Sequence, residues 1–148
     1  MEIGQDGESP TVHPQRLSRD SLKTSLHRLA TGPGGTTVVA VDGDSVLGAA
    51  TIGPNRPGRG SHVATASFMV SQASRGRGVG RRLGEYALQW AADAGFKAMQ
   101  FNAVVETNTT AVALWESLGF ETIGIVPEAF DSQSHGLVGL RVMYRRLP

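Results

Sequence analysis

The sequence contains no cysteine among its 148 residues. This absence excludes disulfide bonds, thiolate zinc sites and catalysis through a cysteinyl intermediate. Hydrophobic residues make up 40% of the chain, but no apolar run approaches the roughly 20 residues that a membrane span needs. The start, MEIGQDGESP, lacks the basic region and the apolar stretch of a secretory signal. We therefore expect a cytoplasmic protein with no membrane role.

The chain also lacks an excess of either charge, with 14 Lys and Arg against 13 Asp and Glu and a formal net charge of +1. Proteins that neutralise many nucleic-acid phosphates carry a strong positive excess. One stretch is nevertheless strongly basic: SRGRGVGRRLG, residues 74–84, holds four arginines and four glycines. An RGG-like RNA-binding segment is one interpretation of it. The near-neutral net charge argues against that interpretation, so we expect no nucleic-acid partner.

The length is typical of one domain, so we predict a single domain over residues 1–148, with residues 1–17 loosely ordered. Leucines at helical spacing behind a capping serine predict an amphipathic helix over SRDSLKTSLHRLA, residues 18–30. Alternating apolar residues then predict an antiparallel meander. Its three strands lie at about 36–42, 45–53 and 61–71, and the turn Asp42-Gly43-Asp44 joins the first two.

The second half of the chain alternates helices and strands. A helix is predicted at about 80–94 and a strand at 97–105. A second helix follows, capped by Thr107 or Asn108 and ended by Gly119. A strand in ETIGIV, a loop over 127–136 and a last strand over 136–147 complete the chain. This order of elements predicts an α+β fold class.

The glycine-arginine stretch lies between a predicted strand and a predicted helix, a position that favours anion binding. Backbone N–H groups are unpaired at the positive end of the helix. Gly76, Gly78 and Gly80 let an oxygen-rich ligand approach the backbone closely, and the arginines add charge. No Gly-Lys-Ser/Thr follows, which excludes a P-loop. A dinucleotide-binding fold is disfavoured because it needs a parallel βαβ unit, whereas the preceding strand here belongs to an antiparallel meander. The expected ligand is a pyrophosphate group.

Two motifs carry a resemblance to a known family. The run Arg75-Gly76-Arg77-Gly78-Val79-Gly80 resembles the R/Q-x-x-G-x-G/A signature of the GNAT superfamily of N-acetyltransferases. The run from Asn108 through Trp115 to Gly119-Phe120 is similar to the second signature of that superfamily, and the resemblance covers about residues 36–147. More narrowly, FNAVVETNTTAVALWESLGFETIGIVP and RPGRGSHV resemble the branch that includes fungal L-azetidine-2-carboxylate acetyltransferases.

The resemblance implies a mostly antiparallel central sheet that is splayed at the cofactor site and flanked by helices. It also implies acetyl-CoA as cosubstrate and no metal. Backbone groups near Met69 and Val70 would pair with the pantetheine arm, and Asn108 would contact CoA as well as cap its helix. The residues expected to hold the pyrophosphate are Arg75, Gly76, Arg77, Gly78, Val79, Gly80 and Arg81.

For the reaction, the resemblance implies direct acetyl transfer to an amine of a small molecule or amino acid. The backbone N–H of Val70 would polarise the thioester carbonyl. Trp115 stands where many family members have a tyrosine that protonates the leaving thiolate, so the resemblance makes it a candidate for the reaction centre. An indole N–H does not dissociate near neutral pH, however, and the alternative is that Trp115 belongs to the core. The third predicted strand carries no carboxylate to act as base. A water relay is therefore expected to move the proton.

Three polar side chains are open to more than one interpretation. Asn102 is a candidate substrate-orienting or oxyanion-side donor, and the alternative is a buried asparagine satisfied by strand backbone. Glu106 is either a base or an acid that stabilises the start of the second helix. His62 is interpreted as a structural residue, and the remaining histidines, including His135, are too scattered to predict a metal site.

Other functions stay open from the sequence. The acceptor could be a peptide or protein, or the chain could be a non-catalytic acyl-CoA-binding module. The resemblance also implies a strand and two helices before the meander. Only 35 residues precede it here, so the first strand is either missing or supplied by PTVHPQRL, residues 10–17. An uncovered sheet edge predicts a homodimer.

Overall fold

The computed structural model describes residues 24–30 and 34–148. Within these residues, seven strands form one mixed sheet in the order β1-β2-β3-β4-β5-β7-β6. The strands are β1 Ser25–Ala30, β2 Thr36–Asp42, β3 Ser45–Pro54, β4 Val63–Val70, β5 Ala98–Val105, β6 Glu121–Ser132 and β7 Gly136–Arg146. In the described part of the chain, two α-helices, α1 Val79–Asp93 and α2 Thr109–Ser117, pack against the sheet. The predicted α+β class, with a mostly antiparallel sheet and flanking helices, is confirmed.

The predicted helix over residues 18–30 is wrong in its described part, because Ser25–Ala30 is an edge strand paired antiparallel with β2. Strand alternation sends Leu26 into the main core and Leu29 into a smaller cluster on the other face of the sheet. The leucine spacing suits a helix, but hydrogen bonding to the free edge of β2 makes this segment a strand. The fold therefore has a strand before the meander, formed by Ser25–Ala30. Residues 1–23, which include PTVHPQRL and the predicted loose segment, lie outside the described residues.

The strands β4 and β5 separate along their length, and this separation creates the site. They are parallel and pair only at Val63–Ala98 and Ala64–Met99. On its other side β4 pairs with β3 along its whole length, from Pro54–Ala64 to Gly48–Val70. The chain crosses from β4 to β5 through α1, so the carboxyl ends of both strands lie at one edge of the sheet, apart from each other.

The predicted loop over residues 127–136 is wrong for most of its length. Strand β6 continues to Ser132, and only a short turn separates it from β7. The pairing shifts register between Val126 and Phe130, where Glu128 has a φ of 54°. Such a bulge on an edge strand accommodates Pro127, which has no N–H to donate. Strand β6 therefore continues past Pro127, although proline is uncommon within strands.

A cluster of aromatic rings lies in the core between the helices and the sheet. Trp115 is fully buried, with its ring centroid 4.8 Å from that of Phe68 and 4.6 Å from that of Phe101. Phe120 stacks on Phe101 at 4.3 Å. This cluster ties α2 to the two strands that separate. Within residues 24–30 and 34–148, no helix is both long and apolar enough to cross a membrane.

Candidate functional site

A cavity of about 710 Å³ opens where β4 and β5 separate. One wall is the glycine-arginine stretch with the first turn of α1, and another is the start of α2. The tip of the β6–β7 hairpin closes a third side through Phe130, Ser132, Ser134 and His135. Both helices begin at the cavity, so two helix N-termini give it a positive field.

The glycine-arginine loop presents bare backbone to this cavity. Gly76 and Gly78 have φ values of 84° and 77°, a conformation that side chains other than glycine rarely adopt. Gly78 is the N-cap of α1 and provides no side-chain cap. The first hydrogen bond of the helix runs from the N–H of Arg82 to the carbonyl oxygen of Gly78. The preceding N–H groups, from Val79 to Arg81, therefore have no partner inside the helix. The first turn is available to an anion.

The four arginines of the loop have different surroundings. Arg75 and Arg81 line the cavity, and Arg81 also donates to the Ser117 hydroxyl at 2.5 Å. Arg77 is not on the cavity wall, and its Nη2 lies 3.1 Å from Oδ2 of Asp42. Arg82 donates to the backbone oxygen of Thr24 at 2.8 Å. The sequence groups these side chains together, whereas the structure directs two of them to the cavity.

The backbone of Val70 faces the gap between the strands. The N–H of Ser71 donates to the oxygen of Leu47 at 2.8 Å, which makes Gly48 and Val70 a non-hydrogen-bonded pair. The N–H and C=O of Val70 therefore point away from β3, towards β5. Val70 also lines the cavity. Met69 differs: it forms the adjacent pair with Ala49, so its own backbone groups face β3, and it does not line the cavity.

Asn108 joins the cavity wall to α2. Its Oδ1 accepts a hydrogen bond from the N–H of Ala111 at 3.1 Å, so Asn108 is the N-cap, one of the two residues predicted for that role. Asn108 also lines the cavity, as do Thr107 and Thr110. Asn108 therefore has two roles: it caps α2 and it lines the cavity.

Trp115 lies away from this site. It is fully buried in the aromatic core and does not line the cavity, and its Nε1 has no hydrogen-bond partner among the described residues. The apolar face of α2 draws the ring between the helix and the sheet. The indole therefore brings no donor to the cavity, and the sequence-based assignment of Trp115 to the reaction centre does not match its position.

Asn102 lies on the opposite face of β5 from the buried Phe101 and is exposed. Its Nδ2 donates to Oδ1 of Asn55 at 2.6 Å, and its Oδ1 accepts from Nε2 of Gln100 at 2.9 Å. The alternative of a buried asparagine satisfied by backbone is therefore wrong. Asn102 does not line the cavity, and it lies in the part of β5 that has separated from β4.

Glu106 serves the sheet rather than the cavity. Its Oε2 accepts a hydrogen bond from the N–H of Gly139 in β7 at 3.1 Å, and its own N–H donates to the oxygen of Gly139. A Cβ atom on Gly139 would lie 2.9 Å from that carboxylate oxygen, so the glycine permits the contact. Glu106 does not line the cavity.

The tip of the β6–β7 hairpin lies at the cavity, although the sequence did not indicate it. The Nδ1 of His135 lies 3.0 Å from the Ser134 hydroxyl, and the Ser132 hydroxyl accepts from the N–H of His135 at 3.3 Å. The predicted loop over 127–136 gave these residues no role, because only the pairing of β6 with β7 carries them to the cavity. Among the described residues of the wall there is no carboxylate, and His135 is its single imidazole.

The sequence is similar to a known protein family and to curated proteins. The sequence model of the acetyltransferase (GNAT) family matches residues 6–120. The N-acetyltransferase aca1 of Schizosaccharomyces pombe is 43% identical over 91 residues, which are 62% of this chain and 44% of that protein. Protein SPT10 of Saccharomyces cerevisiae is 37% identical over 83 residues, which are 56% of this chain and 13% of that protein. The chain therefore spans less than half the length of both relatives.

Solved structures match over more of the chain. A GCN5-related N-acetyltransferase from Kribbella flavida has 53% sequence identity and a TM-score of 0.78, with 96% of this chain and 84% of that chain covered. The yncA protein of Salmonella typhimurium, solved with its cofactor acetyl-CoA, has 25% identity and a TM-score of 0.70. That match covers 78% of this chain and 66% of the yncA chain.

Proposed function

The chain belongs to the acetyltransferase (GNAT) family, and we propose that it is an acetyl-CoA-dependent N-acetyltransferase that acts on an amine of a small molecule or amino acid. The observation that carries this proposal is the cavity between the separated ends of β4 and β5. It connects a bare, basic helix N-terminus to a strand N–H that points into the gap. Those are the two groups that a pyrophosphate and a thioester carbonyl require.

Acetyl-CoA would bind along this cavity. The unpaired N–H groups at the start of α1 would receive the pyrophosphate, assisted by Arg75 and Arg81 on the same wall. Gly76, Gly78 and Gly80 leave the backbone open to the phosphate oxygens. The relative from Salmonella typhimurium with acetyl-CoA bound supports this cofactor.

The reaction would take place beside Val70. Its N–H donates to the thioester oxygen as an unprotonated amine attacks the carbonyl carbon, and it stabilises the oxyanion that develops. The C–S bond then breaks and the CoA thiolate leaves. Transfer is direct, because the chain has no cysteine to carry the acetyl group. Water would remove the amine proton, in keeping with a described cavity wall that has no carboxylate.

The acceptor would approach from the face of the sheet opposite α1 and α2. There the amide group of Asn102, held by Asn55 and Gln100, would orient the amine at the separated part of β5. Asn102 is exposed on this face, whereas the other face is covered by the helices. The cofactor and the acceptor would thus reach the gap from opposite sides.

A non-catalytic acyl-CoA-binding module is the second candidate. It is favoured by the lack of a carboxylate on the described part of the wall and by the burial of Trp115 away from it. Such a module would need the cofactor cavity but no acceptor site.

Two measurements test these functions. Intact mass and thermal-shift analysis of protein purified without added ligand, before and after adding CoA, reports cofactor binding. A thiol-release screen with amino acids, proline analogues, polyamines and peptides reports turnover. Turnover on small amines supports the proposal, turnover on peptides alone favours a peptide acetyltransferase, and tight CoA binding without turnover favours the module. Absence of CoA binding would contradict all three.

The homodimer and the cytoplasmic location stay predictions. A candidate contact surface is the β6–β7 hairpin, where four large apolar side chains are exposed: Ile123, Ile125, Val126 and Leu137. Light scattering at micromolar concentration would give twice the chain mass if the homodimer forms. A monomeric mass would refute it.

A further inference from the structure

An ion pair links the glycine-arginine loop to a turn distant in sequence. Nη2 of Arg77 lies 3.1 Å from Oδ2 of Asp42, at the end of β2, and the two side chains are 39% and 33% exposed. The residues are 35 positions apart. Asp42 begins the tight turn to β3, which is anchored on both sides by the sheet. One partner of the pair is therefore on a rigid element and the other on a glycine-rich loop.

The ion pair contacts the loop at its glycine-flanked residue, Arg77. Gly76 and Gly78 flank this residue, both with positive φ, and a Cβ atom on either would contact nothing within 4 Å. The space beside each glycine, where a side chain would lie, is therefore open. Glycine also allows the backbone more conformations than any other residue. The backbone is held by the N–H of Arg77, which donates to the oxygen of Ser74 at 3.2 Å, and the side-chain contact between Arg77 and Asp42 restricts the loop further.

The direction of the Arg77 side chain is also informative. Arg75 and Arg81 line the cavity, whereas Arg77 does not. A carboxylate close to a phosphate site disfavours an anion by simple Coulomb repulsion. Asp42 begins the turn from β2 to β3, and its ion pair with Arg77 offsets part of that repulsion.

We infer that Asp42 is a positioning residue for the pyrophosphate loop. By holding Arg77 outside the cavity, it keeps the N–H groups at the start of α1 directed towards the ligand. The inference rests on the proposed function for the identity of the ligand. It assigns to Asp42 a part in cofactor affinity although Asp42 touches no cofactor atom.

The test compares Asp42→Asn with Asp44→Asn by titration calorimetry with CoA. Asp44 belongs to the same turn, and its replacement removes the same charge without removing the ion pair. If Asp42 positions the loop, Asp42→Asn weakens CoA binding about two- to fivefold, the scale of a partly exposed ion pair. Asp44→Asn leaves binding unchanged or slightly tighter. Tighter binding by Asp42→Asn would overturn the inference, because it would mean that Asp42 competes with CoA for Arg77.

A double-mutant cycle separates positioning from direct contact. If Arg77 acts through Asp42, adding Arg77→Met to Asp42→Asn produces no further loss of CoA affinity. A further loss of tenfold or more would show that Arg77 binds the pyrophosphate itself, and the inference would fail. In the steady state, Asp42→Asn should raise KM for acetyl-CoA and leave kcat and KM for the amine nearly unchanged.

Hydrogen exchange on CoA-free protein tests the loop alone. Backbone amides of Gly76, Gly78 and Gly80 should exchange faster in Asp42→Asn than in Asp44→Asn. Equal exchange in the two variants would overturn the inference. If the unaltered protein bound no CoA, the proposed function would fail, while this comparison would still decide whether Asp42 holds the loop.

Discussion

Gly84 of α1 faces the indole of Trp115 in α2 so closely that a Cβ atom on the glycine would lie 2.8 Å from Cζ3 of the ring. Real Cβ contacts are essentially never this short. The same Cβ atom would lie 3.0 Å from Cδ1 of Leu118. The two helices that begin at the cavity therefore pack through a glycine on one and a tryptophan on the other.

Gly84→Ala should destabilise the protein by about 1–3 kcal/mol, because an added methyl overpacks a closed core. The strain would separate α1 from α2, so CoA binding should weaken together with the stability. Urea unfolding followed by tryptophan fluorescence measures the first effect, and calorimetry measures the second. Gly124→Ala is the matched control, because a Cβ atom at Gly124 contacts nothing within 4 Å. Equal stability of the two variants would contradict the packing described.

Arg75→Gln should weaken CoA binding about tenfold, a change of about 1.4 kcal/mol, and leave the stability unchanged. Arg75 lines the cavity, and its charge would meet the pyrophosphate. Arg82→Gln is the control from the same stretch, since Arg82 donates to the Thr24 oxygen and does not line the cavity. Arg82→Gln should lower the free energy of unfolding by about 1 kcal/mol. It should weaken CoA binding less than Arg75→Gln does. The reverse pattern would mean that the roles of the two arginines are exchanged.

Replacements of Asn108 should separate its two roles. Asn108→Ala removes the cap of α2, which costs about 1 kcal/mol of stability, and it also removes a cavity-lining amide. Asn108→Asp keeps an oxygen that can accept from Ala111, so stability should be retained. Its negative charge should nevertheless weaken CoA binding. Thermal unfolding and calorimetry on both variants check this, and normal CoA affinity in Asn108→Asp would place the cofactor away from α2.

Asn102→Ala should raise KM for the amine about tenfold, an estimate for the loss of a hydrogen bond that orients the acceptor. KM for acetyl-CoA should not change, because Asn102 does not line the cavity. Asn55→Ala should produce a smaller rise, since Asn55 contacts Asn102 and would act through it. Initial rates with each substrate varied in turn provide the measurement. Unchanged amine kinetics in Asn102→Ala would remove Asn102 from the acceptor site.

Much of the fold could be predicted because short-range patterns determine it. The turn Asp42-Gly43-Asp44, the helix stop at Gly119 and the cap at Asn108 each depend on neighbouring residues. The helix expected at 18–30 failed over Ser25–Ala30 for the opposite reason. Its spacing suited a helix, but the free edge of β2 offered hydrogen bonds that no local pattern reveals. The strand through Pro127 was missed in the same way, because tolerance of a proline depends on its being at a sheet edge.

By itself, the sequence determined the family and the place of the glycine-arginine loop between a strand and a helix, because both follow from residues that are near one another in the chain. Tertiary structure alone decided which of these arginines face the cavity and which are held by Asp42 and Thr24. It also decided that Trp115 is buried in the core and that His135 is on the cavity wall. The physical reason is that a side chain's direction and partners are set by elements that are distant in sequence and meet only in the folded chain.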